Sequence, residues 1–418
     1  MYTSPDAWQA IYGKNTTPGG KSTLLQKDPS FYGSIFEHKD TLIDAEGEKL
    51  KASKKPLSHA FSTTSILSSQ PDLHTYTTAL LTQLHSHTLS STPADLFSYF
   101  SNWITDLSVW ATLSSDFGAM KYGDKSEGLL TSIHFNVFIL LIAAQLRRMS
   151  SLTSQVERVV WMFAFKFRMF GRIGFLRTLL KERLAKEKDD LESDYVSYLL
   201  PNDGSEPDFE DIFTNTATLV LASVSATSVV LTGSIYYIHS NPLILSTLKT
   251  EIRNSFRSAD EITLATTGNL SYLNACINEN FRMYAPVPGG LPRVTPNEGG
   301  VVCGRFVPGN TIVNISQFAT FRSPENYTEP NVFRPERWLV PSKDHSGDKL
   351  DAVFPFSLGP RTCIAKEKSI MYLRFILARL IWEFDIQIEE SSKGWEYQKS
   401  AVLFNPGPLN VMIKSRKQ

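Results

Sequence analysis

Cys363 stands in the run Phe356-Ser-Leu-Gly-Pro-Arg-Thr-Cys-Ile-Ala365, just ahead of a long apolar helical stretch over 366–382. Gly359 lies four residues before it and Arg361 two. These residue types suit a cysteine thiolate that ligates a haem iron. Glycine permits the tight loop that brings sulfur to a metal. The open N–H groups at a helix start supply donors to a thiolate. A guanidinium two residues upstream is placed to hold a haem carboxylate. The competing reading is a structural cysteine buried after a turn. Cys276, on a predicted core helix, and Cys303, within a predicted hairpin, both lack the glycine–arginine approach.

Two other stretches carry chemical side chains. Glu279 and Arg282 are three apart in a helical pattern over 268–284, so they share a face and can pair, although such pairs are common on surfaces and worth little there. Downstream, Tyr284-Ala-Pro-Val-Pro-Gly-Gly-Leu-Pro-Arg293 combines prolines that enforce an extended path with glycines that relax it. His59 invites a metal-ligand reading but is expected to be a packed helix residue.

The elements that must position these residues are mostly helical. Helical periodicity predicts helices over 72–88, 93–115, 130–147, 152–168, 172–200, 208–239, 243–257 and 268–284, with Pro242 stopping the longest. The first sixty residues read as loops and short helices. Residues 293–317 alternate apolar and polar side chains around Gly299-Gly300 and Pro308-Gly309, which are hairpin signals. The segment 384–414 again reads as strands, with a turn at Pro406-Gly407. Lys+Arg and Asp+Glu number 42 each among 418 residues, so nothing points to nucleic acid. Three cysteines argue against a disulfide framework or a zinc cluster. The apolar run 137–146 is too short to span a bilayer, and no transmembrane segment is expected. Basic residues over 146–188, interleaved with Trp161, Phe163, Phe165, Phe167, Phe170 and Phe175, can rest on an anionic membrane surface or form an ordinary solvated face.

On the cysteine run the chain resembles the cytochrome P450 family, whose loop pattern F-x-x-G-x-R-x-C-x-G/A is filled at every fixed position, with Ala365 in the last. Glu279-x-x-Arg282 followed by Phe333-Arg-Pro-Glu-Arg337-Trp338 matches a second family motif. Phe117-Gly118, the run 194–200 and Leu57-Ser-His-Ala-Phe-Ser62 look like the fungal branch used in secondary metabolism. The resemblance implies a single domain over 1–418 with a mainly α fold and small β-sheets (α+β). It also implies that the N-terminal anchor and early strands, some eighty to a hundred residues of a typical member, are absent.

The resemblance further implies haem b (iron protoporphyrin IX), with Cys363 as the iron ligand whose thiolate favours O–O cleavage. Phe356, Gly359 and Ala365 would shape the loop, while Arg361 and Arg293 would hold propionates. Lys54 would be a third, weaker cation, because an ammonium bonds as a point charge and not a fork. Glu279, Arg282 and Arg337 would form a buried network bracing the loop. Val287, Pro288, Gly289, Gly290 and Leu291 would line the substrate pocket, together with Ala222 and Ala226 on the distal helix.

Across the oxygen site the family reads A/G-G-x-E/D-T-T, where this chain has Ala222-Ser-Val-Ser225-Ala226-Thr227. Serine cannot supply an ionised carboxylate, and alanine supplies nothing. Thr227 comes one residue late and points about 100° away around the helix. Ser223 and Ser225 are candidates for a replacement proton relay. Thr227 is a weaker candidate, expected to bond back to the preceding turn. The activity implied is monooxygenation, hydroxylating or epoxidising a small hydrophobic natural product with O2 and electrons from an NADPH–cytochrome P450 reductase. The location implied is the cytosolic face of the endoplasmic reticulum membrane. The altered distal helix keeps two alternatives open: a haem-dependent isomerase or cyclase without net oxidation, and a catalytically impaired haem-binding paralogue.

Overall fold

A computed structural model describes residues 2–13, 15–16, 22–32, 41–90, 92–123, 170–186, 194–201, 205–339, 347–400 and 402–416. The expected helices over 130–147 and 152–168, the apolar run 137–146 and the basic and aromatic residues of 146–169 lie outside this set. The chain divides into two compact units. One comprises Met1–Gln26, Thr77–Phe97 and Thr227–Gln418, and the other Lys27–Tyr76 and Ser98–Ala226.

The first unit carries the cysteine loop. The helix Pro242–Ser255 opens with proline at its first position, where a missing N–H costs nothing. It buries Ile244, Leu248 and Ile252, spaced four apart on one stripe. The helix Ser271–Met283 is buried on nearly every side, including Glu279, Asn280 and Arg282. Asn280 Nδ2 donates to Val230 O at 3.0 Å on the long helix Phe209–His239. A Cβ on Gly233 of that helix would meet the Tyr284 ring at 2.6 Å, so glycine is what allows this close approach. Strand Asn410–Ser415 pairs antiparallel with Phe384–Ile388 and with Ala94–Asp95.

The segment 293–317 folds into two antiparallel pairs. Arg293–Val294 lies beside Ile312–Val313, and Gly300–Val302 beside Arg305–Val307. The second pair turns at Cys303-Gly304 and not at the Gly-Gly or Pro-Gly steps. Both turn residues have positive φ, 49° and 75°, as a two-residue hairpin of this hand requires. Gly300 is itself a strand residue, and Pro308-Gly309 leads into Asn310 with φ 58°, a bend between the two pairs. Near the C-terminus, Lys399–Ser400 pairs with Phe404–Asn405.

The second unit is helical in its described part. Where one helix was expected over 172–200 there are two, Phe170–Ala185 and Tyr195–Leu199. Asp194 starts the second, accepting from Ser197 N at 2.9 Å, while buried Arg183 pairs with the same carboxylate. This helix packs on Gly47–Ala60, with the Phe61 and Tyr195 rings 4.9 Å apart. Asp106 in Leu96–Leu113 accepts from the N–H groups of Ala119 (2.6 Å) and Met120 (2.9 Å), capping the short helix Ala119–Tyr122. His59 is exposed on its helix, so the expectation of a packed ring is corrected. Leu57 and Ala60 face inward there instead.

Among the described helices, Phe209–His239 is long and apolar enough to cross a membrane, and 67% of its most apolar window is buried within the fold. Burial of this kind is also the mark of a core helix in a folded domain.

Candidate active site around the Cys363 loop

The cysteine loop is held by short-range bonds. Cys363 N donates to Phe356 O and Thr362 N to Gly359 O, each at 3.0 Å. Ser357 has φ 64° and Gly359 φ 76°, two left-handed residues two positions apart that fold the chain back on itself. Gly359 has no room for a side chain, because a Cβ would come within 2.6 Å of Tyr12 O. The helix Lys366–Glu383 starts just past Ala365, whose carbonyl accepts from Ser369 N at 2.8 Å.

Cys363 is exposed, and none of the three cysteines is in a disulfide. Burial pushes the Cys276 thiol well above its ordinary pKa, so it stays protonated. Cys303 is raised too, by burial and then by Asp6, and sits at a hairpin turn. The chemistry of the donors therefore fits one thiolate ligand, Cys363. Cations stand nearby in the chain fold. Arg361 is half-buried, its Nη1 donating to Leu25 O at 2.5 Å, and Arg293 is 2% exposed, its guanidinium 5.0 Å from the Tyr12 ring centroid. These residues fit a haem in kind: one soft anionic ligand, with guanidinium groups for two carboxylates.

Glu279 is fully buried and joins four residues through five donors. Its Oε1 accepts from Arg282 Nη2 (2.7 Å), Arg337 Nε (3.2 Å) and Arg334 N (2.8 Å). Its Oε2 accepts from Arg282 Nε and Trp338 Nε1, both at 2.9 Å. Arg282 also donates to Phe321 O, Pro330 O and Val332 O, while Arg337 pairs with Asp348. The network thus fastens the irregular stretch 321–338 to the helix Ser271–Met283. That helix meets the cysteine loop through Phe281, whose ring packs edge-on against Phe356 at 5.0 Å. Trp338 and Asp348 were not singled out in the sequence. Trp338 closes the Phe333–Trp338 run but was given no role, while nothing marked Asp348.

In the pocket segment, Pro288 O accepts from Phe318 N at 3.0 Å and Gly289 O from Asn314 Nδ2 at 3.2 Å. Gly290 has φ 83°, and a Cβ there would fall 1.8 Å from Ile315 O, so the close approach demands glycine. Val287 and Leu291 are half-buried, Pro288 is buried and Gly289 is exposed.

On the long helix, Ser225 Oγ donates to Leu221 O at 2.8 Å, and Ser223 Oγ lies 2.8 Å from Ser108 Oγ. Thr227 behaves differently from the expectation: among the described residues nothing accepts from its half-buried hydroxyl. Threonine on a helix divides between two rotamers, only one of which reaches the carbonyl of the preceding turn. Ala222 is exposed and Ala226 half-buried, as are the neighbouring Leu221, Ser223 and Thr227. Lys54 is half-buried on Gly47–Ala60, in the second unit with Ser223 and Ser225. The structure brings Glu279, Arg282 and Arg337 into direct contact and places Arg293 on Tyr12, a residue unmarked in the sequence.

Comparison with known proteins agrees with this geometry. The family model described as Cytochrome P450 matches residues 6–413. Cytochrome P450 monooxygenase atr2 of Stereocaulon alpinum is 30% identical over 100% of this chain and 81% of its own length. Cytochrome P450 monooxygenase AMT3 of Alternaria alternata is 31% identical over 99% of this chain and 84% of its own. The trichothecene C-15 hydroxylase of Fusarium sporotrichioides is 29% identical over 99% and 83%. With the cysteine loop, the buried glutamate–arginine network and a match running nearly end to end, the chain belongs to the cytochrome P450 family.

Proposed function

We propose that this chain is a haem-thiolate monooxygenase that hydroxylates or epoxidises a small hydrophobic natural product of fungal secondary metabolism. Cys363 carries the proposal: an exposed thiol at the end of a loop held in shape by two left-handed residues, just ahead of a buried helix. Haem b, when bound, supplies the one-electron and dioxygen chemistry that no side chain here can perform. Cys363 is its iron ligand, and Arg361 and Arg293 hold its carboxylates. Val287 to Leu291 form an apolar wall that orients a substrate and excludes water. Electrons come from an NADPH-dependent flavoprotein reductase at the endoplasmic reticulum surface. The names of the fungal relatives, one of them a hydroxylase, support this class of reaction.

The test is spectroscopic. Carbon monoxide added to dithionite-reduced, haem-loaded protein should give the strongly red-shifted band of sulfur ligation, and Cys363→Ala should lose it. Haem-loaded parent without the band, or a band that persists in the variant, overturns the assignment.

One observation favours a second reading, a haem-dependent isomerase or cyclase without net oxidation. The Ser225 hydroxyl is engaged with its own helix and Ala226 has no hydroxyl, so neither delivers a proton. Incubation with reductase and labelled dioxygen separates the two readings: label in the product supports oxygenation, and product without reductase supports isomerisation. Ser225→Glu with Ala226→Thr should tighten the coupling of reductase-driven oxygen consumption to product if oxygenation is the native activity.

A further inference from the structure

Tyr12 ends the helix Asp6–Tyr12 and is 3% exposed, and contacts from the wall segment, the facing strand, Arg293 and the cysteine loop meet on it. Its phenol oxygen accepts from Leu291 N at 3.4 Å and from Ile315 N at 3.3 Å. Arg293 is the register partner of Val313, so Leu291 and Ile315 are the next pair on the same face as the two strands part. The phenol oxygen therefore takes two backbone donors at the point where the ladder stops, which would otherwise be left open. The ring lies under Arg293, with the guanidinium carbon 5.0 Å from its centroid. The main-chain oxygen of Tyr12 presses on the cysteine loop, 2.6 Å from where a Gly359 Cβ would stand. Burial, chiefly, raises the phenol above its ordinary pKa, so it is neutral at physiological pH.

We infer that Tyr12 is a positioning residue for the haem site, setting the spacing between the cysteine loop, the cation Arg293 and the wall segment 287–291. The inference rests on the haem-thiolate reading above. It assigns two separable roles to one side chain. The hydroxyl holds the wall by binding the amides on both parted strands. The ring holds Arg293, and through it the carboxylate that Arg293 would bind. Neither role touches the reacting atoms, so loss of either changes how a ligand is held and leaves sulfur ligation in place.

Haem-loaded parent, Tyr12→Phe and Tyr12→Leu are compared with two iron-ligand probes, imidazole and the bulkier 4-phenylimidazole, and with apomyoglobin as haem acceptor. Tyr12→Phe keeps the ring and loses the hydroxyl. It should bind 4-phenylimidazole about fivefold more weakly while imidazole affinity and haem release stay within about twofold. Tyr12→Leu should also release haem about fivefold faster or more. The bulky-against-small selectivity is a readout that a general loss of stability would not move. Tyr12→Phe with unchanged affinity for both probes, or with equal losses on both, overturns the inference. A parent lacking the red-shifted carbon monoxide band instead overturns the haem-thiolate reading itself. Should Tyr12→Phe not fold, hydrogen exchange on the parent decides: the Leu291 and Ile315 amides should be strongly protected, and rapid exchange at both refutes the phenol's role.

Discussion

Replacing Glu279 by alanine removes one carboxylate from a site where Glu279, Arg282 and Arg337 side chains are all 0% exposed. The consequences differ between its partners. Arg337 keeps a second carboxylate, Asp348, and so retains a counter-charge. Arg282 keeps three carbonyl acceptors but, among the described residues, loses its carboxylate partner, and it stays buried against the Tyr327 ring at 5.0 Å. Breaking a buried pair so that one charge is stranded costs about 3–5 kcal/mol. Arg334 N and Trp338 Nε1 also lose their acceptor, but both residues are half-buried, so water replaces it at about 1 kcal/mol each. The total, about 5–7 kcal/mol, is comparable with the whole stability of many domains, about 5–15 kcal/mol. Glu279→Ala should therefore yield little folded, haem-loaded protein. Glu279→Gln keeps an acceptor oxygen and should fall between it and the parent. Glu336, exposed and bonded to the Tyr272 hydroxyl at 2.6 Å, is the control, and Glu336→Gln should cost under about 1 kcal/mol. The assay is the urea midpoint by circular dichroism, with haem-to-protein absorbance as the measure of loading. A Glu279→Ala protein with the parent's midpoint and full haem would refute the reasoning.

Gly359→Ala places a Cβ 2.6 Å from Tyr12 O at a φ of 76°, so the loop must shift; haem content should fall severalfold, and a fully loaded variant with a normal carbon monoxide band would contradict this. His239 is predicted to make stability fall with acid. Burial, outweighing the bond to Ile235 O, holds its pKa down at about 4, below the unfolded value of about 6.5. Between those values the unfolded chain binds the proton and the folded one does not, so stability is lost as pH drops through that window. His239→Gln should flatten the pH dependence of the urea midpoint there by about 1–2 kcal/mol, discounted because the ring is only partly buried; an unchanged slope would show that the proton is taken up elsewhere.

Where the chemistry is local, the chain could be read directly. The cysteine loop is ten consecutive residues, and its bonds from Cys363 N to Phe356 O and from Thr362 N to Gly359 O close within that span. A helix with a regular apolar stripe, such as Pro242–Ser255, was equally legible, because burial on one face imprints a period, and Lys366–Glu383 was legible as a long apolar run. Turns and single rotamers were less so. The hairpin reverses at Cys303-Gly304, since an exposed cysteine can take the left-handed conformation that glycine or asparagine usually marks. Thr227 leaves the preceding turn's carbonyl unused, a choice between two rotamers of similar energy.

The sequence by itself determined the cysteine loop proposed to hold the iron, much of the helical framework and the serine–alanine pair at 225–226, because each is a property of residue type at short spacing. Only the tertiary structure decided that Asp348 shares Arg337 with Glu279, that Ser108 meets Ser223, and that Tyr12 bonds Leu291 and Ile315, 279 and 303 positions away. Such contacts depend on where separate strands and helices come to rest, and an amide or hydroxyl carries no sign in its own neighbourhood of the distant group that will satisfy it.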